Sequence, residues 1–139
     1  ISYFGKDQEW ARDLYRGGSF FLLGGFVVGL LAALTGFWDW LKSTQKGTQA
    51  RRTVNAHAWT MVTVTALVLL DLVLRWFVYE DVAHTPGRVM VLSLVVAALT
   101  TVGGTIGGSL AYDYGFNVET SGDHPVWHES EEDVFPGQH

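Results

Sequence analysis

The stretch Val89–Tyr112, VMVLSLVVAALTTVGGTIGGSLAY, contains no charged residue. A helix crossing the ~30 Å hydrocarbon core of a bilayer needs roughly 20 predominantly apolar residues, and this stretch reaches that length. Two others do so as well. Ser19–Leu41 carries one charge, Asp39, near its end, and Ala56–Tyr79 carries Asp71 and Arg75. A helix on the surface of a soluble domain keeps a polar face, whereas these three are apolar nearly all round. Three such helices in a soluble chain of 139 residues would leave too little polypeptide to cover them. The expected fold is therefore all-α, a transmembrane helical bundle with spans at 19–41, 56–79 and 89–112. These spans lie in a membrane domain over 1–118, followed by an acidic tail over 119–139.

The averages alone suggest something else. An apolar fraction of 48%, a charged fraction of 17% and a net charge of −5 resemble a small acidic globule. Seven of the fourteen acids, however, lie between Asp113 and His139 with no Lys or Arg among them. The rest of the chain has nine basic and seven acidic side chains, a net of +2. The absence of cysteine excludes disulfides and thiolate chemistry. The acidic balance argues against nucleic-acid binding, which needs a basic surface.

Aromatic residues gather at the ends of the runs, as expected at headgroup level. Three alternating spans place Trp38, Trp40, Trp59, Tyr112 and Tyr114 at one surface and Tyr15, Trp76 and Tyr79 at the other. The loop over 42–54 contains Lys42, Lys46, Arg51 and Arg52 and no acid, so the positive-inside rule assigns it, and with it the tail, to the cytoplasm. Lys6, Arg12, Arg16 and Arg88 on the opposite side equal it in number. Density and the lack of acids favour the loop. Asp7–Arg16 reads as a short amphipathic helix lying at the interface, with Trp10 and Leu14 on one face.

Small residues let helix backbones approach closely in lipid. The first span has Gly25, Gly29, Ala32 and Gly36 on one stripe, continued by Asp39. In the third span Ser93, Ala97, Thr100, Gly104, Gly108 and Ala111 form a stripe, with Gly103 and Gly107 beside it. Gly25, Gly29, Gly36, Gly103, Gly104, Gly107 and Gly108 are the candidate packing positions, against another span or another copy. The glycines at 103–108 do not form a phosphate loop, because they lie inside an uncharged span rather than between a strand and a helix.

The second span holds the polar groups. His57, Met61, Val64, Val68, Asp71 and Arg75 recur at spacings of three and four and share a face. Ionisable groups inside a membrane turn toward a bundle interior or a cavity. Asp71 and Arg75 are spaced as an i,i+4 ion pair, acid first. A mutually neutralising structural pair is preferred to a proton or ion pathway, since the third span adds no titratable group. His57 suits a haem axial ligand or a proton carrier, or a buried imidazole bonded to Asp39 or a neighbouring carbonyl. No second histidine lies within a span, so b-type haem would need a histidine outside this chain.

His124 and His128 in the tail are four apart near Asp123, Glu129 and Glu131, but Pro125 lies between them. A solvated acidic segment is preferred to a metal site. Trp127 and Phe135 among the acids suggest docking on a basic protein surface.

Ala32–Trp40, Asn55–His57 and Gly103–Gly115 together resemble the bacterial membrane family catalogued as domain of unknown function 2231, over roughly Ser2–Val118. The resemblance implies a four-helix domain whose first helix opens with a His-Pro element and a further histidine. Neither that element nor that helix is present in this chain, and Ile1 would fall just after it. Some relatives carry the domain fused to a Rieske iron–sulfur domain, which points to respiratory or redox membranes, but this chain has no cysteine and no such domain. The family has no established activity.

No nucleophile–base pair, no paired carboxylates in a cleft and no metal motif is present, so no enzyme activity is expected. The reading is a packing or accessory subunit of a larger bacterial membrane complex. Its partners are the lipid bilayer and either other membrane subunits or a second copy. The alternative is a redox protein binding haem b through His57. A proton or ion pathway through Asp71 and Arg75 comes third.

Overall fold

The computed structural model describes residues 1–6, 8–42 and 47–113. The acidic tail with its proposed docking segment, Lys46 and Tyr114 lie outside the described residues. Among these, the elements are a 3-10 turn at Ser2–Phe4 and three long helices, with no strand. The helices are α1 (Glu9–Lys42), α2 (Gln49–Val73, continued by a π-helical segment at Leu74–Val78) and α3 (Gly87–Tyr112). All three are long and apolar enough to cross a membrane.

α1 departs from expectation at its start. The separate interfacial helix over 7–16 does not form, because α1 runs unbroken from Glu9 through Gly17 and Gly18 to Lys42. Glycine inside a helix is unfavourable by about 1 kcal/mol relative to alanine, so something must hold this turn. Ala11, Tyr15 and Ser19 are all buried on one face. Their spacing of four continues through the two glycines, so tertiary packing overrides the weak local propensity.

α2 begins seven residues before its apolar run. Thr48 is its N-cap and accepts a hydrogen bond from the Arg51 backbone N–H at 3.2 Å. Gly47, with φ +89°, makes the turn that leads into it. At the other end the helix widens to an i→i+5 turn, with the Tyr79 N–H donating to the Leu74 carbonyl at 2.9 Å. Pro86, in extended conformation, starts α3.

α2 and α3 form an antiparallel hairpin that accounts for most of the packing, and α1 leans on α2. In α3 the buried positions are Val89, Val96, Gly103 and Leu110, one every seven residues. The core joins Val64, Val68 and Leu72 of α2 to Val96 of α3, flanked by Leu22 and Phe26 of α1 and Leu92 and Leu99 of α3. Beyond Phe26, α1 is exposed until Asp39 and Trp40, where it meets α2 again. There Trp40 Nε1 donates to Asn55 Oδ1 at 2.7 Å, the Arg51 guanidinium donates to the Trp40 carbonyl, and the Trp40 and Trp59 rings meet edge to face.

Most span hydroxyls bond their own helix. Thr60, Thr63, Thr65, Thr100, Thr101 and Thr105 each donate to the carbonyl four residues earlier at 2.8–3.0 Å. A hydroxyl satisfied in this way can face hydrocarbon.

Candidate functional site

Asp71 is fully buried and Arg75 is 9% exposed. Two charges can remain in so dry a place only if they are paired and their other hydrogen-bonding groups are met. Arg75 Nε donates to Asp71 Oδ1 at 2.9 Å. Its two terminal nitrogens reach to other helices, Nη1 donating to Ser19 Oγ of α1 at 3.2 Å and Nη2 to Ser93 Oγ of α3 at 3.0 Å. Ser93 Oγ in turn donates to Asp71 Oδ2 at 2.7 Å, and Ser19 Oγ donates to the Tyr15 carbonyl at 2.8 Å. The guanidinium carbon lies 5.1 Å from the centroid of the Tyr15 ring, within cation–π range.

The result is a neutral cluster that touches all three helices. Both carboxylate oxygens already accept a hydrogen bond within the protein. Such an arrangement ties the register of the three helices together. Ser2 fastens the same end of the bundle. Its hydroxyl donates to the Ala11 carbonyl at 2.6 Å and accepts from the Thr85 N–H at 3.1 Å, tying the start of the chain to α1 and to the α2–α3 loop. Arg12 and Arg16 face Asp81 across the exposed rim at 3.3 and 3.7 Å.

His57 lies on the same face of α2 but fourteen residues away, about 21 Å along the axis. Its Nδ1 is 2.9 Å from the Gly103 carbonyl oxygen. Because a carbonyl only accepts, Nδ1 is the donor of this bond. The ring fits against α3 where Gly107 has no side chain, and Met61 fits in the same way against Gly103. Among the described residues no group of three or more His, Asp or Glu side chains stands close enough to hold a metal ion.

The glycine positions divide by face. Gly103 and Gly107 meet α2, whereas Gly104 and Gly25, Gly29 and Gly36 of α1 have open space where a Cβ would stand, as does Gly108. The inward face of α3 thus runs through Gly103 and Gly107, one residue round from the stripe through Gly104 and Gly108. Either glycine pair would admit His57 and Met61, but only this rotation also buries Val89, Val96 and Leu110, where a turn by one residue would offer Ala97 and Ala111 in place of Val96 and Leu110. Asp39 stands partly exposed at the His57 end of the bundle, apart from the Asp71 cluster.

Sequence reasoning recognised the Asp71–Arg75 pair but not Ser19, Ser93 or Tyr15 as its partners. A serine in a span can equally bond to its own helix, and a tyrosine near a span end fits the interface belt. The only available signal was that Tyr15 and Ser19 lie one turn apart at the depth where Arg75 enters its span.

No curated protein and no solved structure matches the chain. A family model described as Predicted membrane protein (DUF2231) matches residues 1–120, and its extent covers the ion-pair cluster, the histidine seam and all three helices. The chain belongs to this family of membrane proteins.

Proposed function

We propose that this chain is a packing or accessory subunit of a larger bacterial membrane complex. One observation carries the reading. None of the most apolar window of α1 is buried within the chain, and its glycines at 25, 29 and 36 meet nothing. Lipid fills such a face without help, but small residues at spacings of three and four are what a neighbouring helix needs to approach closely. The polar groups support the same reading, because Asp71 and Arg75 are engaged in holding three helices together. The complex would lie in the inner (cell) membrane, with the basic loop over 42–54 and the acidic tail on the cytoplasmic side.

The test is gentle detergent extraction of the full-length protein from its own membranes. Stable, stoichiometric partners are expected, and Gly29→Leu or Gly104→Leu should release them while leaving the chain's own thermal stability unchanged. Recovery of the wild-type chain as a lone monomer overturns the reading.

A second reading has one observation in its favour. With the His57 Nδ1–H directed at the Gly103 carbonyl, Nε2 of the neutral imidazole is the nitrogen that a haem iron would take. The other histidine among the described residues, His84, is in the α2–α3 loop at the opposite end of the bundle, so the second axial ligand must come from outside these residues.

A further inference from the structure

A cleft of about 380 Å³ opens at the Arg75 end of the bundle, between the N-terminal turn, the first turns of α1 and the start of α3. Leu14, Met90 and Leu94 form apolar walls, and Tyr15 and Arg75 contribute the polar lining. Tyr15 is 3% exposed, and its hydroxyl is buried with no hydrogen-bond partner. Buried hydroxyls are almost always satisfied, so an orphan beside a cavity marks a place for a ligand atom. Arg75 adds donors to the same cleft. A guanidinium has five N–H groups, and the bonds to Asp71, Ser19 and Ser93 use three of them.

The charge of the site selects the ligand. Arg75 is neutralised by Asp71 at 2.9 Å, so the cleft presents hydrogen-bond donors without net positive charge. An anion entering would lose its hydration and meet the Asp71 carboxylate behind the guanidinium. A neutral acceptor meets only the donors. Leu14 and Leu94 are also half or more exposed on the outer surface of the bundle, so the apolar walls continue into the hydrocarbon region and admit a molecule from the membrane rather than from water.

We propose that this cleft binds the carbonyl oxygen of a neutral apolar group dissolved in the membrane, with the Tyr15 hydroxyl donating to that oxygen and the attached chain lying along Leu14, Met90 and Leu94. Two kinds of membrane molecule carry such a carbonyl, the acyl ester of a glycerolipid and the ring carbonyl of a quinone. The site does not depend on the accessory-subunit reading, and its test uses the chain without partners.

Full-length protein stripped of lipid in detergent is titrated with dioleoyl phosphatidylethanolamine, with its diether analogue lacking both carbonyls, and with decylubiquinone, and adducts are counted by native mass spectrometry. One equivalent of the diester lipid or of the quinone should be retained, with the diether at least about tenfold weaker. Tyr15→Phe keeps the ring and removes the donor, and should weaken retention about tenfold, as one lost hydrogen bond does. Leu94→Trp, at an exposed wall position outside the core, should fill the cleft and abolish retention. Retention of the diester alone identifies a lipid site, and of the quinone alone a quinone site. Equal retention of diester and diether, retention unchanged in Tyr15→Phe, or no retention of any probe overturns the proposal.

Discussion

The imidazole of His57 occupies the space that a side chain at Gly107 would fill. A Cβ at Gly107 would stand 2.8 Å from the His57 ring carbon Cε1, closer than non-bonded atoms approach. Turning α3 by one residue one way would put the Ile106 side chain in that place; turning it the other way would put Gly108 there and replace buried Val96 and Leu110 with Ala97 and Ala111.

Gly107→Leu should therefore destabilise the bundle. Overpacking a fitted interface costs about 1–3 kcal/mol, and the His57 bond to Gly103 would be displaced as well. Gly104→Ala, one turn position away with open space around it, should change stability by less than about 1 kcal/mol. Thermal unfolding in the same detergent compares the two. Equal effects would show that the one-residue rotation is not what holds the hairpin.

Asp71→Ala should be among the most damaging single substitutions. It leaves the Arg75 charge buried without its counter-ion, a loss of about 3–5 kcal/mol. The double replacement Asp71→Leu with Arg75→Met removes both charges and should recover much of that stability. If the double variant unfolds as readily as the single one, the pair is required for more than mutual neutralisation.

Asp81→Asn provides a contrast at the same end of the molecule. Its side chain is 81% exposed beside Arg12 and Arg16, and surface ion pairs contribute about 0–1 kcal/mol. The midpoint of unfolding should move slightly and only at low salt, where screening is weak.

Under the accessory-subunit reading the purified full-length protein should be colourless. A Soret band that shifts on reduction with dithionite and disappears in His57→Ala would establish the haem reading in its place. The absorption spectrum of the native preparation is sufficient to decide between them.

Leu substitution at Gly29 and at Gly107 should separate two kinds of packing. Gly107→Leu acts on the isolated chain, through the α2–α3 contact. Gly29→Leu meets open space and should leave unfolding in detergent nearly unchanged while weakening any assembly through α1. Loss of chain stability in Gly29→Leu would mean that α1 packs within the chain along that face.

Much of the architecture could be read from periodicity. The uncharged run Val89–Tyr112 and its two companions dictate membrane-length helices, because hydrocarbon admits only backbones that satisfy their own hydrogen bonds. The heptad-like spacing of His57, Met61, Val64, Val68, Asp71 and Arg75 likewise dictates a shared face, and that face is the one turned toward α3. Neither inference needed any knowledge of what stood opposite.

Other features required the neighbours. Periodicity could not choose between the adjacent glycine pairs at 103/107 and 104/108, which differ by one residue of rotation and are chemically alike. The choice fell to what is buried beside the first pair, Val89, Val96 and Leu110, and to the Gly103 carbonyl that meets His57 on another helix. It could not show that Gly17 and Gly18 continue α1 rather than break it, since burial of Tyr15 and Ser19 outweighs a local preference. Nor could it assemble the Arg75 cluster, whose serines come from positions 56 and 18 residues away in the chain. A span's length and apolar character are properties of its own residues, so the sequence alone determines them. Which of its atoms meet, and which hydroxyl is left without a partner beside a cleft, depends on the distances between helices, which only the tertiary structure sets.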